Sequence, residues 1–285
     1  MKRNYAEIAF DWLVRIVTYS ITLVIAYIIF DIVRNGIGVI SWEFLSGFPS
    51  NGGAKGGILP AIVGTVYLVL GAIIVALPLG IASAVYLTEY GKQGKFIETI
   101  RLAIVTLAGV PSIVFGLFGL GLFVLFFDFG ASILAGSLTL ALMILPTIIV
   151  TSEEALRAVP RSYREGSLAL GATQWKTIRT NVLPYALPGM MTGSILGIGR
   201  AAGETAPILL TVAAFFLPRL PQSIFDQVMA LPYHLYVLAT QHPEMDLVRP
   251  MQYGTALVLL VIVLAFNLGA IILRSRFQKK FKSRH

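Results

Sequence analysis

The sequence has no cysteine, only three histidines and 13% charged residues in 285 positions. Without cysteine there is no disulfide framework and no Cys-based metal site. The histidines, His234, His242 and His285, lie outside every long apolar run. No G-x4-G-K-[ST] occurs, so the chain has no P-loop to cradle ATP phosphates. H-E-x-x-H and G-x-S-x-G are also absent, which removes the signatures of an intramembrane metalloprotease or serine hydrolase. No enzyme activity of its own and no cofactor are expected. Soluble domains carry about 25% charged residues. The shortage here is matched by 56% hydrophobic residues and a mean hydropathy of +0.81, the composition of a membrane chain.

Apolar runs near the roughly 20 residues that cross a bilayer occur at about 12–34, 61–87, 102–127, 132–151, 187–216 and 255–273. They predict an all-α integral membrane protein of six transmembrane helices forming one domain, 1–285. The first run is too long for a signal-peptide core and no small-residue cleavage site follows it, so it reads as an uncleaved anchor. Of the 22 Lys and Arg residues, seventeen fall before or early in span 1, between spans 2 and 3, between spans 4 and 5, or in the tail. The opposite side has only Arg34, Lys55, Arg219 and Arg249, and Arg200 is inside a span. The positive-inside rule then places both termini in the cytoplasm. The +8 net charge is thus explained by lipid topology, with no nucleic-acid partner needed.

Several stretches interrupt the apolar pattern. A Gly-rich outer loop, SWEFLSGFPSNGGAKGG, follows span 1 and carries Trp42 as an interfacial anchor. Pro111, in GVPS, predicts either an ordinary kink in span 3 or a break in a protein-lined or watery place. Residues 217–253 form a proline-rich outer segment with a short helix expected near 223–231. Residues 152–184 form a long inner loop. Ser152 is expected to cap a first short helix with Glu153 and Glu154 in its first turn. Pro160 then starts a second helix over 161–170, Gly171 ends it in the left-handed conformation, and Thr173 caps a third helix through Ile178. Such a loop fits either an amphipathic segment on the lipid surface or a docking surface.

The spacing within that loop resembles a known family. Glu165-Gly166-Ser167, three residues, Gly171, and then Leu183-Pro184 follow the E-A-A-x3-G-x9-I-x-L-P loop of ABC-importer permeases. Gly166 and Ser167 stand for the two alanines and Asn181 for the isoleucine. GGILPAIVGT, LAGVPSIVFGLFGLG, EEALRAVPRS, ALGAT and GRAAGETAPILL are similar to the phosphate-specific importers. Ala206-Pro207 and LPYHLY at 231–236 resemble their PstA-type permeases. The likeness runs from about residue 56 onward. It implies a permease fold in the cytoplasmic (inner) membrane, with a coupling helix between spans 4 and 5 that sits on an ATPase. It implies as partners two copies of that ATP-binding subunit, a sister permease, an extracytoplasmic phosphate-binding protein, phosphate and membrane lipid. Glu165, Gly166, Ser167, Gly171, Leu183 and Pro184 would then serve ATPase coupling.

Span 5 holds the chain's most costly feature. Arg200 and Glu204 stand four residues apart in an apolar run expected to begin near Pro188, about 18 and 24 Å along the helix. Each buried charge costs roughly 2.5–3.5 kcal/mol on the most lenient scale. Gly189, Gly193, Gly197, Arg200, Glu204, Pro207 and Thr211 share one helical stripe, and the three glycines invite a close helix neighbour. Pro111 and Pro207, with Gly193 and Gly197, are the expected hinge or packing positions. The charged pair fits either a self-neutralising structural bridge or an anion pathway, since Arg carries a permanent planar charge suited to phosphate oxygens. The resemblance favours the pathway, with Thr205 and Thr211 beside it.

Overall fold

A computed structural model describes residues 5–53, 55–92 and 94–282. Lys2, Arg3 and Arg284, counted in the charge asymmetry above, lie outside the described residues. Among the described residues five helices are long and apolar enough to cross a membrane, and the number reaches six when a bent helix pair is counted as one span. These are α1 (Tyr5–Gly36), α3 (Leu59–Val85), α6 (Ile133–Arg157), α9 (Leu183–Gly203) and α12 (Met245–Lys282), with the pair α4 (Lys95–Ala108) and α5 (Ser112–Gly119). Shorter helices are α2 (Trp42–Ser46), α7 (Arg161–Ala169), α8 (Gln174–Thr177), α10 (Ala206–Thr211) and α11 (Leu231–Thr240). A two-residue hairpin, β1 (Pro49–Ser50) with β2 (Lys55–Gly56), folds the outer loop. The six apolar runs thus all find helical segments, and the differences lie at their ends and in two internal breaks.

Two spans are broken. Between α4 and α5 the chain bends by 104°. The fifth span ends at Gly203, passes Glu204 and Thr205 out of helical register, and resumes only as the six-residue α10. In both places a proline follows a glycine within one turn: Gly109 and Pro111, Gly203 and Pro207. Proline removes its own donor and its ring collides with the carbonyl four residues back, which for Pro207 is that of Gly203. The glycine adds about 1 kcal/mol against the helix. Pro78, Pro146 and Pro188 lack a glycine in the preceding turn and sit inside unbroken helices. The single helix expected over 187–216 is therefore corrected.

Three further expectations change. The fourth span continues unbroken to Arg157, so Ser152 is a buried mid-helix residue and not a cap. The helical run of the fifth span starts at Gln174, well before Pro188, because α8 passes through a π-turn (Ile178–Val182) into α9 without a break. Leu183 and Pro184 are thus the first residues of α9, not the end of a loop. No helix forms at 223–231. There the Asp226 carboxylate accepts from the backbone N–H groups of Gln222 and Ser223 and closes a turn. Residues 228–230 run buried to the start of α11 at Leu231.

The glycine stripe packs against the fourth span. A Cβ at Gly189 would press on Ala155, one at Gly193 would collide with the Thr151 side chain, and one at Gly197 would meet Ile144 and Ile148. As α9 rises by four residues, α6 falls by four, which fixes an antiparallel contact at near-backbone distance. Gly199 points another way, to Asn267 of α12. Gly193→Val should therefore destabilise the chain by about 1–3 kcal/mol through overpacking. A lowered melting temperature in detergent checks it, and Thr151→Gly should restore much of the loss.

Candidate functional site

Arg200 lies in the last turn of α9, where a cation complements the helix dipole. Glu204 follows as the extended residue that caps that helix. Arg200 Nε donates to Glu204 Oε1 at 3.2 Å, and the two side chains retain 38% and 17% of their exposure. The pair is thus half open, with the guanidinium on the outside and the carboxylate behind it. Glu204 also borders a void of about 10 Å³ beside Thr65, Leu140, Ala202 and Pro232. An acid bridges the core and an outward-facing base.

The two broken spans meet beside this pair. A Cβ on Gly116 of α5 would lie 3.0 Å from the Ala206 carbonyl and 3.1 Å from Pro207 Cα. Val110, at the bend, packs on the cluster that holds Ala201 and Ile208. Pro111 itself is exposed and opens α5. Thr205 precedes α10 without a side-chain cap. Thr211, by contrast, is fully buried, its hydroxyl donated to the Pro207 carbonyl at 2.8 Å. The structure does not bring Thr211 to the Arg200 face. Gly193 and Gly197 are likewise buried against α6 and line nothing open.

A second constellation lies at the other end of α9. The α7 helix begins after Pro160 and ends at Gly171, whose φ of +81° is the left-handed conformation expected of it. Its N–H donates to the Leu168 carbonyl and that of Ala172 to Ser167. Thr173 accepts from Lys176 N and starts α8. Glu165 and Gly166 are exposed, and the Ser167 and Thr177 hydroxyls are 2.9 Å apart. Leu170 is 89% exposed, with Leu168 and Trp175 also open. A short helix with an acid, a flexible glycine and bare apolar side chains has the features of a docking element.

Sequence reasoning missed the ion pairs behind that surface. Arg164 binds both carboxylate oxygens of Glu89, the shortest contact being 2.7 Å, and also donates to the Leu156 and Val159 carbonyls at 2.9 Å each. Arg101 Nε donates to Glu153 at 3.3 Å and its Nη2 to the Leu87 carbonyl at 2.7 Å, while Arg157 meets Glu153 at 3.4 Å. These arginines register in the sequence only as topology-setting charges. The sequence signal available was only the two acids themselves, in TEY at 88–90 and SEE at 152–154, with nothing to name their distant partners.

On the opposite side, His234 in α11 is fully buried, stacks on Phe215 with ring centroids 5.9 Å apart, and neither ring nitrogen completes a hydrogen bond among the described residues. Burial pushes its pKa down from 6.5 to about 4. A folded-state value below the unfolded one gives stability that is complete above pH 6.5 and lost as pH falls toward 4, about 3 kcal/mol in total. Protection from hydrogen exchange across 213–240, taken relative to the intrinsic rate at each pH, should therefore fall between pH 6.5 and 4.5, and His234→Phe should flatten that dependence.

The sequence model of the family described as "Binding-protein-dependent transport system inner membrane component" matches residues 76–283. The chain is 35% identical over 261 residues to the "Probable ABC transporter permease protein YqgI" of Bacillus subtilis (strain 168), spanning 87% of this chain and 88% of that one. It is 39% identical over 220 residues to the "Phosphate transport system permease protein PstA 1" of Mycobacterium tuberculosis (strain ATCC 25618 / H37Rv), spanning 77% and 70%. It is 41% identical over 214 residues to the "Phosphate transport system permease protein PstA" of Mycobacterium leprae (strain TN), spanning 75% and 69%. Among solved structures, a chain of a bacterial ABC transporter involved in the import of the acidic polysaccharide alginate superposes with a TM-score of 0.68 at 14% identity, over 96% of this chain and 99% of that one. The inward-facing MetNI methionine ABC transporter gives 0.59 at 17% identity, over 78% and 94%. At such identities the two superpositions speak for the fold alone.

Proposed function

This chain belongs to the family of binding-protein-dependent transport system inner membrane components, and from that membership we propose that it is the PstA-type permease subunit of an ATP-driven phosphate importer. The observation that carries the substrate is the 39–41% identity to phosphate permeases over three quarters of the chain. It forms half of the route through the membrane, opposite a sister permease. A homodimeric ATP-binding subunit supplies hydrolysis from the cytoplasmic side, and an extracytoplasmic binding protein delivers phosphate from outside.

Arg200 is the passing site in this reading. It is exposed on the free face of α9, where the two broken spans meet. Its fork suits phosphate oxygens, and Glu204 offsets the charge so that the anion is not retained. The α7 helix, with Glu165, Gly166, Ser167 and Gly171, is the coupling element, and Leu183-Pro184 joins it to the span that holds Arg200. The reading is tested by assembling the four components in proteoliposomes and measuring radiolabelled phosphate uptake against ATP and binding protein. Uptake of another oxyanion in place of phosphate would keep the permease and replace its substrate.

Both termini face the cytoplasm, as the Lys/Arg asymmetry supports. The cysteine-free chain makes this simple to check. Single cysteines at Ser50 and Gln241 should react with impermeant thiol reagents from outside, and those at Lys92 and Ser162 only after permeabilisation. All four positions are exposed. Outside labelling at Ser162 would reverse the topology and remove α7 from the ATPase.

A further inference from the structure

The two ends of the inner face are joined through one side chain. Arg164 stands on α7, yet none of its recorded bonds stays within α7. Its fork holds Glu89, which lies in the π-turn Tyr86–Tyr90 that closes the second span. Its other donors take the carbonyls of Leu156, in the last turn of the fourth span, and of Val159, just beyond its end; the Leu156 carbonyl also accepts from Val159 N. The Glu89 main-chain carbonyl accepts in addition from Gln174 Nε2 at 2.6 Å, which brings in the start of the fifth span's helical run. With side-chain exposures of 22% for Arg164 and 8% for Glu89, the pair is shielded from solvent. Charge-assisted, bidentate contacts of this kind are directional as well as strong. A surface ion pair would show one contact and high exposure; this one ties three separate chain segments.

The exposed part of α7 has the opposite character. Glu165, Gly166, Leu168 and Leu170 face outward, and a Cβ at Gly166 would meet nothing within 4 Å. One face of the helix is open and the adjacent residue is clamped.

We infer that Arg164 and Glu89 form a latch that makes α7 move as one body with the inner ends of the second and fourth spans. A push on α7 then reaches both spans directly, and the fifth through Gln174 and the Ser167–Thr177 contact. Arg164 is a positioning residue: it holds the helix that docks and does not itself face the partner. This rests on the coupling reading of α7 given above.

The test uses the full importer in proteoliposomes, after the unaltered complex has been shown to retain its ATPase and to take up phosphate. Failure at that first step counts against the coupling reading, not against the latch. Arg164→Met and Glu89→Gln should each keep the ATPase bound and hydrolysing. Phosphate moved per ATP should fall at least tenfold. Unchanged uptake per ATP overturns the latch, and so does loss of ATPase binding, which would make Arg164 part of the docking face itself. A reversible variant guards against simple misfolding. Glu89→Cys with Arg164→Cys, in cysteine-free partners, should be uncoupled as thiols. Joining the two thiols with a short bifunctional reagent, in the same preparation, should recover uptake per ATP. No recovery in a complex that still hydrolyses ATP also overturns the latch.

Discussion

Arg200→Ala should abolish phosphate uptake while the subunits still assemble. The side chain is exposed on the open side of α9 and makes one recorded bond, to Glu204. Its removal leaves the core untouched, so the subunit should still fold and assemble. Assembly and uptake therefore separate in this variant. A structural bridge predicts a different pattern, which the double variant Arg200→Ala with Glu204→Gln exposes. Removing both charges of an ion pair together is often neutral or stabilising, whereas removing one is costly. If the pair only neutralises itself, the double variant should take up phosphate normally. If Arg200 is the passing site, the double variant should be as inactive as the single one. Exchanging the two residues is a poorer test. Glu204 lies beyond the helix end, so the exchange would place an acid in the last turn of α9, against its dipole. Normal uptake by the double variant would leave the pair as architecture.

The membrane class, the left-handed Gly171 and the Thr173 cap were all legible, because each depends on local chemistry. Apolar length sets a span, and a glycine with positive φ can be read from its place after a helix. The break at Gly203 was readable in principle. Pro207 is an expected hinge position, yet the apolar run continues to 216 and outweighs it over any window of span length. The structure separates it from harmless prolines by the glycine in the turn before. The false start at Ser152 has a different cause. Serine before two acids imitates a cap, but Ile148, Ile149 and Leu156, all buried, hold the helix on its course on either side of it. Least legible were the partners of Arg164 and Arg101. Glu89 is 75 positions from Arg164 and Glu153 is 52 from Arg101, and no local pattern links residues so far apart.

Glu165→Lys should detach the ATPase and reduce uptake at least tenfold with little effect on the folded chain. Glu165 is exposed and no hydrogen bond or ion pair is recorded for it among the described residues. Reversing its charge therefore breaks nothing inside this subunit, and surface changes of that kind usually alter stability by under about 0.5 kcal/mol. Any large effect must arise through what α7 touches. Gly171→Leu acts by another route. Space is open around a Cβ there, but a φ of +81° costs an L-residue about 1–2 kcal/mol. The strain would loosen the turn in which Gly171 N and Ala172 N reach back to Leu168 and Ser167. The bare Leu170 beside it would then lose its fixed direction. Gly171→Asn should retain most activity, since asparagine tolerates the left-handed region far better than leucine. The order expected for co-purified ATPase is thus unaltered chain, Gly171→Asn, Gly171→Leu and Glu165→Lys, with uptake following it. If Glu165→Lys holds the ATPase normally and transports at the usual rate, α7 is a lipid-surface helix, because an exposed acid in a docking cleft cannot become a base without effect.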